Sequence, residues 1–198
     1  DGDGFNECEE MLLGTNAPRA RNLPMNSVPF RADSTFLYYT GCTEPGAFAL
    51  LVDGHCTLFL NPPEPGDELW HGEVATLEQR RVQHGVDAVK PVHALDAACE
   101  PLRGRLQTLA VPDHAVTQRL SRLVGRPLDF PGTPGHEPLV NAVIQQRRTR
   151  DEWELGEMRE AAGIASEAHR AAMRATRVGG HEREVAALFD AVVAARGA

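Results

Sequence analysis

PFRADSTFLYYTGCTEPGAFALLV, residues 29–52 of this 198-residue chain, contains the strongest structural signals in the sequence. Two apolar runs, Phe36–Tyr39 and Ala47–Val52, are bounded by Gly, Pro and Asp, which is typical of buried strands. The first run has apolar residues on both of its faces, so a strand there would be buried on both sides. Arg31 and Asp33 precede it, and we expect them to form an ion pair at its entrance.

A hairpin signal follows directly. Asp53-Gly54 separates Ala47–Val52 from a third apolar run, Cys56–Leu60, and an Asp-Gly pair in that position is typical of a tight two-residue turn. Further short apolar runs alternate with segments of helical period. The other expected elements of this region are strands at Met11–Leu13, Val86–Val89, Leu106–Val111 and near Leu128–Phe130, and helices at Glu73–His84, Leu95–Arg103 and Ala115–Val124. The sequence therefore predicts an α/β fold with a mixed sheet and helices on its faces.

The Pro- and Gly-rich segment 131–135 is the clearest break in the chain, and only helical patterns follow it, at residues 137–146, 151–175 and 182–195. The last two helices each have an apolar face that needs a partner. We expect four segments: an acidic terminus or cloning remnant (1–10), an amino-terminal α/β domain (11–135), a linker helix and junction (136–150), and the helical start of a second domain (151–198).

The composition argues against two classes of partner. The chain has 28 acidic and 20 basic residues and a formal net charge of −8, which is the wrong sign for a nucleic-acid surface. No run approaches the roughly 18 apolar residues of a membrane span, and the amino terminus lacks the basic and then apolar pattern of a secretory signal. We therefore expect a cytoplasmic protein that binds neither nucleic acid nor membranes. Its four cysteines are expected to be reduced, with a Cys42 to Cys56 disulfide as the alternative.

No self-contained active site is evident from the sequence. The eight histidines include no His-x-x-x-His or His-x-His pair, and no serine lies in a Gly-x-Ser-x-Gly elbow. There is also no Gly-rich phosphate loop of either common type. Residues 1–10 resemble part of a calcium-binding loop, but the first ligand and the entering helix are missing, so a solvated acidic terminus is the favoured interpretation.

Several motifs carry a family resemblance, and they occur in the expected order along most of the chain. They are residues 29–41, Glu44-Pro45, Leu58–Leu60, the segment Glu68-Leu69-Trp70-His71-Gly72, and Arg150–Leu155. Together they resemble the amino-terminal domain of Xaa-Pro aminopeptidases (aminopeptidase P), within the creatinase and prolidase superfamily. The resemblance implies a creatinase-type amino-terminal domain followed by the opening helices of a truncated pita-bread catalytic domain.

The resemblance also implies a chemistry. The family removes an amino-terminal residue that precedes proline, using two divalent metal ions, usually manganese, held by two aspartates, one histidine and two glutamates. In the family all five ligands come after helices that resemble the last two helices of this chain. We therefore assign no metal ligand and no catalytic residue to this sequence, and we expect the chain alone to be inactive. Whether the natural protein continues past Ala198 stays open.

Two residues are candidates for substrate binding because they match family positions. Trp70 matches a tryptophan that forms a wall of the active site, where a flat apolar ring can pack against proline, although a core anchor explains it equally well. Arg147 matches an arginine that reaches toward bound peptide, and its guanidinium could bind a carboxylate or carbonyl. An interdomain salt bridge is the alternative role for Arg147.

The resemblance implies part of a metallo-aminopeptidase that acts on proline-containing peptides. In that enzyme this chain would supply a domain that limits substrate access and builds a homo-oligomer, either a dimer or a tetramer. Two alternatives stay open: a prolidase, which splits Xaa-Pro dipeptides, and a non-catalytic module for peptide binding or oligomerisation.

Overall fold

The computed structural model describes residues 10–15, 30–63, 75–133 and 135–197, together with the single residues 66, 69 and 72. The chain divides into two compact units, Asp1–Gln146 and Arg147–Ala198. The domain boundaries expected at residues 10, 135 and 150 stay predictions.

In the described part of the first unit, five strands form one mixed sheet. They are β1 (Glu10–Gly14), β2 (Phe48–Val52), β3 (His55–Leu60), β4 (Ala88–Pro91) and β5 (Gln107–Thr108). Their order across the sheet is β4-β3-β2-β1-β5. β2 is antiparallel to both β1 and β3, whereas β4 pairs parallel with β3 and β5 pairs parallel with β1. The predicted mixed sheet is confirmed.

The hairpin between β2 and β3 has the turn that its sequence predicts. Asp53 and Gly54 have φ angles of 48° and 79°, both in the left-handed region. Two such residues in succession give the turn whose twist matches that of antiparallel strands, and Gly and Asp tolerate this backbone better than most residues. The strands then pair in register, with Val52 opposite His55.

Both faces of the sheet are buried. Neighbouring residues of each strand point to opposite sides of the sheet, and the side chains on each side lie in an apolar core. Leu12 of β1 and Phe59 of β3 lie in one apolar core with residues of the helix His114–Val124. The residues on either side of them, such as Met11 and Leu58, lie in a second core. The first unit therefore has a helical layer on each face of its sheet, as predicted.

The segment expected to be a strand at Phe36–Tyr39 is instead part of helix α1 (Ser34–Thr40). Asp33 caps its amino end, because its Oδ1 accepts hydrogen bonds from the N–H groups of Thr35 and Phe36 at 2.9 and 3.2 Å. Such a cap satisfies amide groups that a helix leaves unpaired in its first turn. Asp33 therefore holds the helix start and forms no ion pair with Arg31.

The strand prediction failed because four consecutive apolar residues have no period that separates a strand from a buried helix. The deciding signals lie outside the run. Asp33 is a good amino-terminal cap, and Gly41, with φ of 61°, ends the helix in the left-handed conformation. Phe36 and Thr40, four residues apart, are the buried residues of α1.

The other helices that begin in the first unit agree broadly with the predicted pattern. They are α2 (Leu77–His84), α3 (Leu95–Cys99), α4 (His114–Val124) and α5 (Glu137–Arg148), with short 3-10 turns at Val92–Ala94 and Glu100–Leu102 on either side of α3. α2 begins later than the predicted Glu73, because Thr76 and Gln79 form a capping box in which each side chain accepts the other residue's N–H, at 3.2 and 2.7 Å.

Two strand predictions after α3 were wrong: the strand at Leu106–Val111 is shorter than predicted, and no strand forms near Leu128. β5 is shorter than expected because Val111 pairs with α4 instead, exchanging hydrogen bonds of 3.0 and 2.8 Å with the Thr117 hydroxyl. The region near Leu128 forms no strand, since its N–H donates to Ser121 Oγ at 3.0 Å. Asp129 and Thr133 then close a local loop by pairing with each other.

The second unit consists of two packed helices, α6 (Glu152–Ala175) and α7 (Glu182–Ala195), as the sequence predicts. The His169 and Phe189 rings meet edge to face with their centroids 5.0 Å apart. Glu167 and Arg196 form an ion pair of 2.7 Å. Large apolar side chains remain exposed on both helices, including Trp153 and Met173 at 73% each.

Candidate functional site

Trp70 lies outside the described residues, so its proposed position against a proline ring stays a prediction. The structure describes the start of the segment that leads to it. Asn61 follows directly after β3, and its carbonyl oxygen accepts a hydrogen bond of 3.0 Å from Nη1 of Arg80 on α2. The same Nη1 donates to Oε2 of Glu44 at 2.9 Å. One guanidinium therefore ties two loops at the same end of the sheet to α2.

Glu44, Arg80 and His84 form a cluster of charged and titratable side chains, which we call the Glu44 cluster. The Arg80 and His84 side chains are only 11% and 8% exposed. His84 Nε2 lies 3.7 Å from Glu44 Oε1, which is too long for a hydrogen bond. That nitrogen is buried and has no hydrogen-bond partner among the residues the structure describes. The half-buried ion pair between Glu44 and Arg80 fixes the loop geometry, and its partial burial carries a desolvation cost.

The sequence alone did not reveal this cluster. Glu44 belongs to the Glu44-Pro45 motif, and Arg80 and His84 are four residues apart on a predicted helix, so they share one face. Nothing in the spacing shows that a loop 36 residues before Arg80 supplies its carboxylate partner. An Arg and a His at i and i+4 on a polar helix, following a Glu-Pro motif earlier in the chain, was the available signal.

Arg147, the second candidate, lies in the last turn of α5. It is half-buried and already has an interaction partner in the structure. Arg147 and Arg148 suit this position electrostatically, because the carboxyl end of a helix carries partial negative charge. One residue before Arg147, Gln146 accepts a 2.5 Å hydrogen bond at Oε1 from the hydroxyl of Tyr39 on α1.

The residues after α5 form a second well-defined helix start. Asp151 and Glu154 make a capping box with hydrogen bonds of 2.7 and 3.1 Å between each side chain and the other residue's N–H. Glu154 also accepts a 3.0 Å hydrogen bond from Arg150 Nη1. Arg150 therefore forms its ion pair with the first turn of α6. Binding of a substrate by Arg147 stays a prediction. Because Trp70 lies outside the described residues, the structure gives no distance between Trp70 and Arg147.

The described residues do not fit a metal centre. No group of three or more His, Cys, Asp or Glu side chains within that part of the chain could hold an ion. The histidines have other surroundings: His114 contacts Gln118 at 2.9 Å, and His136 contacts the backbone of Thr108. No catalytic step through a metal can be assigned to these residues.

Three cysteines are free thiols, so the alternative Cys42 to Cys56 disulfide is not formed. Burial raises the pKa of Cys56 to about 11, with a smaller contribution from the Asp87 charge. Burial also raises the pKa of Cys42 and raises that of Cys99 to about 11. A thiol with a raised pKa is a poor nucleophile, which argues against a catalytic role.

Comparison with known protein families identifies the first unit. Residues 7–109 match the family profile described as aminopeptidase P, N-terminal domain. This match covers more than half of the chain, and it includes the sheet, α1 and the Glu44 cluster. The chain belongs to the aminopeptidase P N-terminal domain family.

Individual relatives agree with this assignment. A protein of Aspergillus fumigatus named probable Xaa-Pro aminopeptidase pepP is 29% identical over 177 residues, which cover 86% of this chain and 36% of that protein. A probable Xaa-Pro aminopeptidase PEPP of Uncinocarpus reesii is 28% identical over 189 residues. The chain spans roughly a third of the length of these curated relatives.

Solved structures show the same fold. The aminopeptidase PepP of Pseudomonas aeruginosa has a TM-score of 0.78 and 25% identity, and the match covers 96% of this chain and 45% of that one. The proline aminopeptidase P II of Yersinia pestis has a TM-score of 0.74 at 22% identity, with 96% and 46% covered. The match extends over both units of the chain. Within the described residues, none of the helices has the length and apolar character needed to span a bilayer.

Proposed function

We propose that this chain forms the amino-terminal part of an Xaa-Pro aminopeptidase. The observation that carries the proposal is the match of residues 7–109 to the aminopeptidase P N-terminal domain. Relatives named Xaa-Pro aminopeptidase and solved aminopeptidase P structures support it. The substrates would be peptides with proline in the second position, whose scissile amide nitrogen has no hydrogen and is blocked by the proline ring.

We propose that peptide-bond hydrolysis takes place in the region of the relatives that lies outside the part matched by this chain. The described residues offer no set of metal ligands. Two divalent ions, which we propose to be manganese, would therefore be held by a catalytic domain of the pita-bread type. Such ions polarise a carbonyl and supply a hydroxide near neutral pH.

The exposed surface of the second unit supports this arrangement. Trp153, Met158, Met173 and Leu188 are large apolar side chains that remain exposed on α6 and α7. Exposed large apolar side chains of this kind, where they lie together, commonly mark an interface with another domain or chain. We propose that the catalytic domain packs there.

The role proposed for this chain is to limit access to the active site and to build a homo-oligomer. Trp70 would contact the proline ring, and Arg147 would bind a carbonyl or carboxylate of the peptide. Free thiols at Cys42, Cys56 and Cys99 are typical of a reducing compartment, which supports a cytoplasmic location.

Hydrolysis by the natural protein tests the proposal. The protein is isolated from its source, its intact mass is measured, and an Xaa-Pro-Xaa tripeptide and an Xaa-Pro dipeptide are assayed with and without added manganese. We expect tripeptide cleavage that depends on manganese. Cleavage of the dipeptide alone would instead indicate a prolidase. Peptide binding without hydrolysis under any metal condition would indicate a non-catalytic module.

Substitutions test the two substrate residues separately. In the active protein, Trp70→Ala and Arg147→Ala should each raise KM for an Xaa-Pro-Xaa peptide by about tenfold, the effect of losing roughly 1.4 kcal/mol of binding. Arg148→Ala is the matched control, because it removes the same charge from the same helical turn and should leave KM unchanged. Equal effects of Arg147→Ala and Arg148→Ala would show a general charge effect and no specific contact.

A further inference from the structure

β5 lies at one end of the sheet, and its outer side faces a segment that is not part of any strand. β5 pairs with β1 on its inner side, where Leu12 is opposite Thr108. On the outer side, Leu109 forms an isolated antiparallel bridge with Gly135. An edge strand has unpaired N–H and C=O groups that need a partner or a cover. Gly135 and His136 supply that cover.

Glycine is required for this close approach. A Cβ at residue 135 would lie 2.7 Å from the carbonyl oxygen of Thr108 and 2.9 Å from Cδ2 of Leu109. Both distances are shorter than real contacts allow. The backbone can therefore lie against β5 only without a side chain at this residue, which brings His136 directly opposite Thr108.

His136 satisfies both outward groups of Thr108. Its own N–H donates to the Thr108 carbonyl at 3.2 Å, and its ring nitrogen Nδ1 accepts the Thr108 N–H at 3.2 Å. Thr108 is fully buried, and its hydroxyl donates to the carbonyl of Leu12 in β1. A buried amide without an acceptor is costly, so the imidazole replaces the neighbouring strand that the edge lacks.

This contact requires a neutral ring. An acceptor nitrogen carries no proton, so the geometry assigns the proton to Nε2. Protonation would turn Nδ1 into a donor that faces the Thr108 N–H donor. The Thr108 carbonyl, 3.5 Å from Nδ1, could accept a long and weak hydrogen bond from the protonated ring, but the Thr108 N–H would still lose its acceptor.

Burial and the nearest cation also favour the neutral ring, and together they outweigh the opposing contact with the Thr108 carbonyl. β5 contributes no ionisable side chain, Glu137 is the first residue of α5, and Arg126 is the nearby cation. Burial lowers the pKa of His136 from 6.5, the contact between the ring and the Thr108 carbonyl acts in the opposite direction, and the Arg126 charge lowers the pKa further. The His136 carbonyl also accepts the N–H of Val140 in the first turn of α5, where positive charge is unfavourable.

We propose that His136 is a pH-dependent seal on the β5 edge: the neutral ring closes this edge, and protonation opens it together with the first turn of α5. The open form binds the proton more tightly, because its imidazole is in water. Acidification below about 6.5 therefore shifts the population toward the open form, and the shift ends at the lower pKa of the closed form.

Amide hydrogen exchange of the full chain, followed by NMR between about pH 7.5 and pH 5, tests this. The protection factor of the Thr108 amide should fall with acidification, by about tenfold for each unit of difference between the two pKa values. The amide of Leu50 in the central strand β2 should keep its protection, which separates local opening from acid unfolding.

His136→Asn is the deciding variant, because Asn Oδ1 can accept the same hydrogen bond at any pH. Protection of Thr108 should then be independent of pH, whereas His114→Asn, an exposed control on α4, should behave like the wild type. The same pH response in His136→Asn as in the wild type would overturn the proposal. If that variant does not fold, titration of the wild-type His136 ring still decides: its midpoint must coincide with the change in Thr108 protection.

Discussion

The two units of this chain differ in how completely they bury their own apolar residues. The first unit surrounds its sheet with two apolar cores, one on each face. In the second unit, among the residues the structure describes, Ala168 is the single buried apolar side chain. Burial of apolar surface is the main favourable term in folding. The first unit therefore has a large apolar core of its own, whereas α6 and α7 bury far fewer apolar side chains.

The largest expected effect comes from the core. Phe36→Ala in the first unit removes a fully buried ring and should lower the free energy of unfolding by about 3–5 kcal/mol. Phe189→Ala in the second unit removes a half-buried ring and should change the main unfolding transition by less than about 1 kcal/mol. Urea denaturation followed by circular dichroism measures both. Equal losses would show that the two units share one cooperative core.

Replacing a glycine by alanine should lower the stability of the first unit and raise that of the second. Gly135→Ala places a Cβ 2.7 Å from a backbone oxygen and should destabilise the first unit by about 1–3 kcal/mol. Gly156→Ala, in α6, meets no atom within 4 Å and should stabilise that helix by about 0.5–1 kcal/mol. Thermal unfolding and helicity report the two effects. A stabilising Gly135→Ala would contradict the close approach at β5.

Helix caps provide a smaller test of the same difference. Asp33→Ala and Asp151→Ala each remove a side chain that accepts backbone N–H groups, a loss of about 1 kcal/mol in either case. For Asp33 the loss should appear in the global free energy of unfolding, because α1 packs into the core. For Asp151 it should appear as faster amide exchange in the first turn of α6, with the global value unchanged. If Asp151→Ala lowers the global free energy of unfolding, the two units unfold together and not independently.

The smallest effect on stability is expected for the exposed apolar residues of the second unit. The combined change Met158→Gln, Met173→Gln and Leu188→Gln should alter the unfolding free energy by less than about 0.5 kcal/mol per site. It should nonetheless reduce binding of a dye that reports exposed apolar surface, and reduce self-association. Val82→Gln, an exposed residue of α2, is the control and should change neither. Unchanged dye binding in the triple variant would show that these side chains form no apolar patch.

The sequence predicted the parts of the fold whose signals are local. The turn at Asp53-Gly54 and the helix period of α6 depend on neighbouring residues, and both predictions were confirmed. The run at Phe36–Tyr39 was predicted wrongly because its conformation is decided by caps at Asp33 and Gly41 that lie outside it. β5 was predicted too long because Thr117, six residues beyond Val111, competes for its backbone.

The candidate site was predictable only through the family resemblance. Trp70 and Arg147 were chosen by matching motifs, and their contacts with a substrate stay predictions. The Glu44 cluster was missed because its members come together only when α2 packs beside the loop between α1 and β2. His136 was likewise one of eight scattered histidines in the sequence, and its role depends on the approach of Gly135 to β5.

The buried thiols have a practical consequence for site-specific labelling. Burial raises the pKa of Cys56 and Cys99 to about 11, so both thiols are almost entirely protonated near neutral pH, and Cys42 is fully buried. Maleimide reagents should therefore react slowly with all three. Once Cys8 is replaced by serine, cysteines introduced at the exposed residues Gln83 and Val178 can carry a pair of fluorophores, one on each unit. Energy transfer between those dyes would then measure the distance from one unit to the other in solution.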